Sequence, residues 1–163
     1  MSVHKMLSWT AVILWMLLIF SLSHQPASES SEMSSGITKV IIAAVEKVAP
    51  GLEEDFGLLE HVVRKNAHFF IYLILGILVA NALRKSGVQS SGSTMAAAAI
   101  CVCYAMSDEL HQLFISGRSG EVRDVLIDSS GAAAGIIVLM IMDKLLCAKR
   151  NTRKAFNAQE LQS

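Results

Sequence analysis

The sequence VLIDSSGAAAGIIVLMIMDKLLC occupies residues 125–147, and it is long and apolar enough to cross a lipid bilayer as one helix. Asp128 lies near its beginning, and Gly131 and Gly135 continue the same face of the predicted helix. Because two small residues four positions apart let a neighbouring helix approach closely, this face is predicted to pack against another helix. The stretch therefore predicts a membrane helix with a carboxylate beside a tight helix contact.

Three more apolar runs lie upstream, at residues 6–22, 66–83 and 93–115. Together the four runs predict an all-α integral membrane bundle of four transmembrane helices. Apolar residues make up 53% of the 163 residues, and 14 basic residues balance 14 acidic ones. A chain without net charge gives no indication of nucleic-acid binding, so the lipid bilayer is the partner that the composition predicts.

The segment between the first two runs adds one more predicted element. Apolar residues recur at helical spacing over residues 37–48, and Pro-Gly at 50–51 ends the pattern. This pattern predicts an extra amphipathic helix in the first extracytoplasmic loop, lying along the membrane surface or packed over the bundle. We interpret the run at 6–22 as a retained helix because of its length and its two tryptophans. A cleaved signal peptide is the alternative, since a small-x-small pattern occupies residues 21–23.

Basic residues are distributed unevenly between the apolar runs. They occur at the N-terminus, at Arg84 and Lys85, and after residue 147, whereas the loop between the first two runs is mostly acidic. Because Lys and Arg in short loops stay on the cytoplasmic side, both termini are predicted to be cytoplasmic. Residues 1–150 are predicted to form one membrane domain, and residues 151–163 a basic, disordered cytoplasmic tail.

Several ionisable residues lie inside the predicted spans, where a charge at the bilayer centre costs about 3 kcal/mol. Asp108 follows Ser93 by fifteen residues, which places it roughly 22 Å across the bilayer, towards the outer side. His68 lies about one helical turn inside the outer end of the second span, and Asp128 enters the fourth span from the same side. Three helices are therefore expected to bring polar side chains to one outer layer.

Four motifs resemble the VanZ-like family, and together they extend over most of residues 10–140. They are FSLSHQP at 20–26, RKNAHFFIY at 64–72, SDELHQLF at 107–114, and GRSGEVRDVLID at 117–128, the last followed by Gly131. This sequence departs from the family pattern at Ile71, where many relatives carry an acidic residue, and at Ser116, where proline is common. The first departure removes a carboxylate from the neighbourhood of His68.

The resemblance implies a bacterial multi-pass protein of the cell membrane, in a family whose namesake is associated with low-level resistance to the glycopeptide teicoplanin. It does not supply a reaction. The positions that it carries over are Lys65, His68, Tyr72, Asp108, Glu109, Gln112, Arg118, Asp124 and Asp128.

Two groups of candidate site residues follow. His68, Asp108 and Glu109 are the candidates for acid–base catalysis, because clustered and buried carboxylates hold their protons more tightly. With Asp128 they also offer His and carboxylate ligands that suit a divalent metal, but their spacing matches no recognised metal signature, so the cofactor stays unassigned. The candidates for ligand binding are Lys65, Tyr72, Gln112, Arg118, Arg123, Asp124 and Asp128.

Three functions remain open at this point. The one we favour is binding of an anionic lipid-linked or cell-wall ligand by basic residues such as Lys65 and Arg118, with glycopeptide susceptibility changed through access to the target. The second is an intramembrane hydrolase- or phosphatase-like enzyme, with or without a metal, acting on a lipid-linked substrate at the outer leaflet. The third is a structural protein in which the acids and bases form an ion-pair latch.

Overall fold

A computed structural model describes residues 3–26, 56–88, 90–118 and 120–160, together with isolated positions between 28 and 40. Four helices account for nearly all of these residues. They are α1 (Val3–Ser23), α2 (Phe56–Lys85), α3 (Ser90–Gln112) and α4 (Val122–Glu160), and the described residues contain no strand. The all-α class expected from the apolar runs is therefore confirmed.

Three of the helices are long and apolar enough to cross a membrane, by length and composition. These segments are Val3–Ser23, Val62–Lys85 and Val122–Arg150. α3 differs because it is built largely from alanine and serine and ends in polar residues. Of the four transmembrane spans expected from the sequence, three are thus supported, and the third run forms a helix of lower hydropathy.

The helix boundaries differ from the expected spans because polar helix-forming residues extend α2 and α4 past their apolar parts, whereas α3 ends before the expected boundary at residue 115. α2 begins at Phe56, ten residues before the expected start, and α3 ends at Gln112. α4 continues to Glu160, through most of the tail for which the sequence predicts disorder, since neither proline nor glycine interrupts it. The expected amphipathic helix at 37–48 lies outside the described residues except for position 40.

α2 and α4 share the most extensive contact in the bundle. Glycines make this contact possible: a Cβ at Gly131 would overlap the carbonyl oxygen of Phe69, and a Cβ at Gly135 would overlap that of Leu73. Gly76 of α2 contacts the backbone of α4 in the same way. The close helix contact predicted beside Asp128 is therefore present, and α2 is the helix that approaches.

α1 and α3 pack against this pair and complete the interior. Every third or fourth residue of α3 is buried, from Ser93 through Cys101 to Gln112. The Tyr104 hydroxyl donates a hydrogen bond of 2.6 Å to the Met16 carbonyl, and the Trp15 indole donates one of 3.0 Å to the Ile71 carbonyl. These bonds fix α1 to both α2 and α3 and align its C-terminal end with their polar residues.

Large apolar side chains cover the outside of the bundle. On α1 and α4 exposed leucine, isoleucine, valine and methionine form long surfaces, including Ile13, Leu14 and Leu17 on α1 and Ile137, Ile141 and Leu145 on α4. Exposed apolar area of this extent is unusual for a protein surrounded by water and is typical of contact with lipid.

Candidate functional site

The polar residues of three helices and one turn meet around a cavity of about 140 Å³ at one end of the bundle. Helix α2, the end of α3, the turn between α3 and α4, and the start of α4 form its walls. This polar cavity is lined by Arg64, Lys65, His68, Gln112, Gly117, Arg118, Glu121, Asp124, Ile127 and Asp128. Of the four residues expected to meet at this layer, His68 and Asp128 line the cavity, whereas Asp108 and Glu109 lie outside its wall.

His68 and Asp128 face each other across the α2–α4 contact. The Nδ1 atom of His68 lies 3.5 Å from Oδ1 of Asp128, whose side chain is 1% exposed against 26% for the histidine. Gly131 brings the backbones together one turn further along α4. A buried carboxylate beside a partly exposed imidazole can orient the ring and stabilise its protonated form.

Asp108 is buried at the junction of α1 and α3. Its Oδ2 accepts hydrogen bonds from the Ser23 hydroxyl at 2.8 Å and from the Gln112 amide at 3.4 Å. Within the described residues its Oδ1 atom has no hydrogen-bond partner. Asp108 is not part of the cavity wall, but it holds Gln112, which is, and its charge is close enough to interact with that of His68.

Glu109 does not line the cavity but forms a hydrogen bond that holds the turn between α3 and α4. Its carboxylate accepts a hydrogen bond of 2.5 Å from the backbone N–H of Glu121. Gly117 adopts a left-handed conformation, with φ of 76°, in the turn between α3 and α4. Glu109 thus holds the end of that turn against α3 and positions the residues that the turn contributes to the cavity.

The basic residues of the site are in different situations. Lys65 forms ion pairs with Asp124 and, at 3.4 Å, with Glu121. The guanidinium of Arg118 is half-buried in the cavity wall, and in the described part of the chain it makes neither a hydrogen bond nor an ion pair. Arg123, expected to bind ligand, is exposed on the first turn of α4 and does not line the cavity.

The environment of Arg118 combines opposing effects on its pKa. Burial lowers the pKa of the guanidinium, and the positive charge of Arg64 lowers it further. The negative charges of Asp108 and Glu109 raise the same pKa, but they do not outweigh the first two effects. A guanidinium that is partly removed from water beside another cation is stabilised by an anion.

A second cavity of about 110 Å³ lies between α1 and α2 and differs in character. Its walls are mainly apolar, with Ile19 and Leu22 from α1 and Val63, Ala67 and Ile71 from α2 among them. The remaining lining residues are Ser23, Gln25, Ser30, Met33, Arg64, His68, Tyr72 and Arg118. We call it the apolar cavity; three of its residues also line the polar cavity.

Tyr72, a candidate for ligand binding, lies in the wall of the apolar cavity. Its side chain is completely buried, and its hydroxyl has no hydrogen-bond partner among the residues that the structure describes. Its ring centroid lies 6.3 Å from that of Tyr104.

The opposite end of the bundle carries a simpler polar cluster. Arg84 of α2 pairs with Asp143 of α4, whose side chain is 53% exposed. The Trp9 indole donates a hydrogen bond of 3.0 Å to the Ser86 hydroxyl, and Lys5 donates one of 3.4 Å to the Ser86 carbonyl. These contacts join α1, α2 and α4 through partly exposed groups.

The candidate residues chosen from the sequence did not include Ser23 or four residues of the cavity wall, Arg64, Gly117, Glu121 and Ile127. Ser23, which holds Asp108, belongs to the motif at 20–26, but nothing in the sequence indicated its partner. Glu121, a second partner of Lys65, lies in the motif at 117–128. No group of three or more His, Cys, Asp or Glu residues in the described ranges is arranged to hold a metal ion.

Comparison with protein families identifies the family of this chain. The family model described as VanZ/LLP1 matches residues 8–143, which include every residue of the polar cavity. No curated protein and no solved structure matches the chain.

Proposed function

The chain belongs to the VanZ-like family, and on that premise we propose that it is a multi-pass membrane protein whose polar cavity binds an anionic, lipid-linked ligand of the cell envelope. In this proposal α3 is a fourth span, both termini are cytoplasmic, and the polar cavity opens on the outer side of the membrane. By family analogy, ligand binding there lowers susceptibility to glycopeptides such as teicoplanin.

The observation that carries the proposal is the state of Arg118. Its half-buried guanidinium lines the polar cavity, lies near the positive charge of Arg64, and makes no hydrogen bond or ion pair within the described residues. Arginine presents a planar set of N–H donors that matches phosphate and carboxylate oxygens. An anionic group in the cavity would accept those donors and relieve the repulsion between the two cations.

The role of α3 as a span is supported by how it is packed. Ala97, Cys101 and Ala105 are buried against the other helices, so that α3 needs less apolar surface than α1 or α4. Its exposed positions include Met95, Met106 and Leu110, which are suited to lipid contact. An α3 that spans the membrane leaves both chain ends on one side and the Gly117 turn on the other.

A binding experiment with matched variants tests the proposal. Purified protein in lipid nanodiscs is titrated with a polyisoprenyl monophosphate, and Arg118→Gln is compared with Arg123→Gln, which makes the same change at an exposed site. We expect Arg118→Gln to weaken binding at least about tenfold, about 1.4 kcal/mol, and Arg123→Gln to change it less than about twofold. Equal effects of the two variants, or no binding by the wild type, would refute the proposal.

The same two variants test whether ligand binding accounts for teicoplanin susceptibility in cells. In bacteria that express each variant at the wild-type level, Arg118→Gln is expected to abolish any shift in teicoplanin susceptibility, and Arg123→Gln to preserve it. A lost phenotype together with lost expression would indicate a folding defect, so membrane abundance is measured in the same cultures.

The His68–Asp128 pair favours one alternative, an intramembrane phosphatase-like enzyme. A histidine oriented by a buried carboxylate is suited to proton transfer, and Asp108 lies nearby with one oxygen unpartnered within the described residues. Incubation with the same lipid phosphate distinguishes the functions. Release of inorganic phosphate that is lost in Asp108→Asn, while binding persists, would establish the enzyme; binding without release supports the ligand-binding role.

A further inference from the structure

The polar cavity and the apolar cavity are neighbours with a common wall. Arg64, His68 and Arg118 line both. On one side of these three residues the lining consists mainly of charged and polar groups, such as Lys65 and Asp128. On the other side aliphatic side chains predominate. Polar and apolar binding spaces therefore meet at a boundary made of two arginines and a histidine.

Proceeding from the proposed function, we infer that one amphiphilic ligand occupies both cavities, with its anionic group in the polar cavity and the first carbons of its single lipid tail in the apolar cavity between α1 and α2. The boundary residues would then lie beside the bond that joins head and tail. This assigns α1 a direct part in ligand binding through Ile19 and Leu22.

The size and lining of the apolar cavity fit such a tail segment. A cavity of about 150 Å³ lined by aliphatic and aromatic side chains is large enough to hold a benzene molecule. At about 110 Å³, the apolar cavity accommodates a short portion of a hydrocarbon chain. The rest of the tail would lie in the bilayer against the apolar surface of α1, which exposes Leu14, Leu17 and Leu18.

Tyr72 supplies an independent indication that the ligand reaches this cavity. Its fully buried side chain lines the cavity, and its hydroxyl lacks a hydrogen-bond partner in the described part of the protein. Burying a hydroxyl without a partner is energetically unfavourable, so a partner from the ligand is favoured. A phosphate or ester oxygen near the head–tail boundary would accept the hydrogen bond from Tyr72.

If the inference holds, the contributions of the ligand's anionic head and of its lipid tail to binding can be measured separately. Ala67 lines the apolar cavity but not the polar one, so that Ala67→Phe would fill the space for the tail and leave the space for the anion. Ala133→Phe is the matched control, because Ala133 is an exposed residue of α4 that lines neither cavity. Both variants are checked for an unchanged elution volume in detergent before they are titrated.

Two probes are used, a polyisoprenyl monophosphate and inorganic phosphate. The wild type is expected to bind the lipid phosphate at least about a hundredfold more tightly than inorganic phosphate, because each buried methylene group of the tail adds to the affinity. Ala67→Phe should weaken lipid phosphate binding about tenfold or more and change inorganic phosphate binding less than about twofold. Ala133→Phe should leave both affinities at the wild-type level.

The outcomes separate this inference from the function on which it rests. If the wild type binds lipid phosphate and Ala67→Phe binds it equally well, the tail does not use the apolar cavity and the inference is overturned while the proposed function stands. If the wild type binds the lipid phosphate and inorganic phosphate with equal affinity, the tail adds nothing to binding, and the inference is again overturned while the proposed function stands. If the wild type binds neither probe, the proposed function fails and the inference falls with it.

Discussion

The two ends of the bundle carry comparable charged residues but use them differently. At one end Arg84 pairs with Asp143, which is 53% exposed, while at the other Asp128 is 1% exposed beside His68. An exposed pair joins two helices at little cost, whereas burying a carboxylate is expensive unless the site gains something by it. The comparison indicates that the first end holds helices together, and it supports the proposal that the second end binds a ligand.

The largest expected effect concerns the α2–α4 contact that brings His68 and Asp128 together. In Gly135→Ala the new methyl would overlap the Leu73 carbonyl oxygen, and neither backbone can yield without separating the helices. We expect a loss of about 3 kcal/mol in stability, measured as a lower thermal unfolding midpoint in detergent. Gly92→Ala is the control, because the nearest side chain to its Cβ would be 3.5 Å away. Equal behaviour of the two variants would disprove the close contact.

The second prediction compares the buried and the exposed aspartate directly. Asp128→Asn removes the negative charge that faces His68, and we expect it to reduce stability by about 1–3 kcal/mol. Asp143→Asn, at the exposed pair, is expected to change stability by less than about 1 kcal/mol. The two unfolding midpoints are measured side by side in the same detergent. A larger effect at Asp143 would reverse the comparison between the two ends.

The third prediction asks whether the Lys65–Asp124 pair is a latch. In the doubly exchanged variant Lys65→Asp with Asp124→Lys, the ion pair can form again, so expression and stability should return to within about 1 kcal/mol of the wild type. Binding of a lipid phosphate should stay impaired, because the exchange moves one of the three cations of the cavity wall from α2 to α4. Recovery of binding as well would favour a purely structural role for the cluster.

A smaller effect is expected where α1 meets α3. Ser23→Ala removes the 2.8 Å hydrogen bond to buried Asp108 and should cost about 1 kcal/mol of stability. Ser8→Ala is its counterpart near the opposite end of α1, where, among the residues that the structure describes, the hydroxyl bonds only to the His4 carbonyl of its own helix. Ser8→Ala should leave stability nearly unchanged in the same unfolding assay. A larger loss of stability in Ser8→Ala than in Ser23→Ala would mean that Ser23 does not support the site.

The sequence was sufficient to predict the features that depend on a single helix, such as the positions of the apolar membrane helices. Apolar runs located α1, α2 and α4, because contact with lipid requires uninterrupted apolar surface. The third run was expected to be a span like the others, but α3 buries Ala97, Cys101 and Ala105 against its neighbours and is not among the helices that are apolar enough to cross a membrane by length and composition. Buried small residues are not distinguishable from lipid-facing ones by composition alone.

The site was predictable in position but not in its pairings. Counting residues along each helix placed His68 and Asp128 at one depth, and the structure has them 3.5 Å apart. The partners of Asp108 and Glu109 were not predictable, because a serine of α1 and a backbone N–H of the turn are chosen by packing between elements. Arg118 and Arg123 are both basic and five residues apart; the family resemblance carried over Arg118 alone, and the fold places Arg118 in the cavity wall and leaves Arg123 exposed.

The most direct measurement is to map where an anionic lipid lies on the protein. A polyisoprenyl phosphate with a photoreactive group beside its phosphate is cross-linked to the protein in nanodiscs, and the labelled peptides are identified by mass spectrometry. The account predicts labelling within residues 63–72 and 117–128, around Arg64, His68 and Arg118. Labelling concentrated instead at residues 84–88 and 143–153, around Arg84 and the basic part of α4, would contradict it.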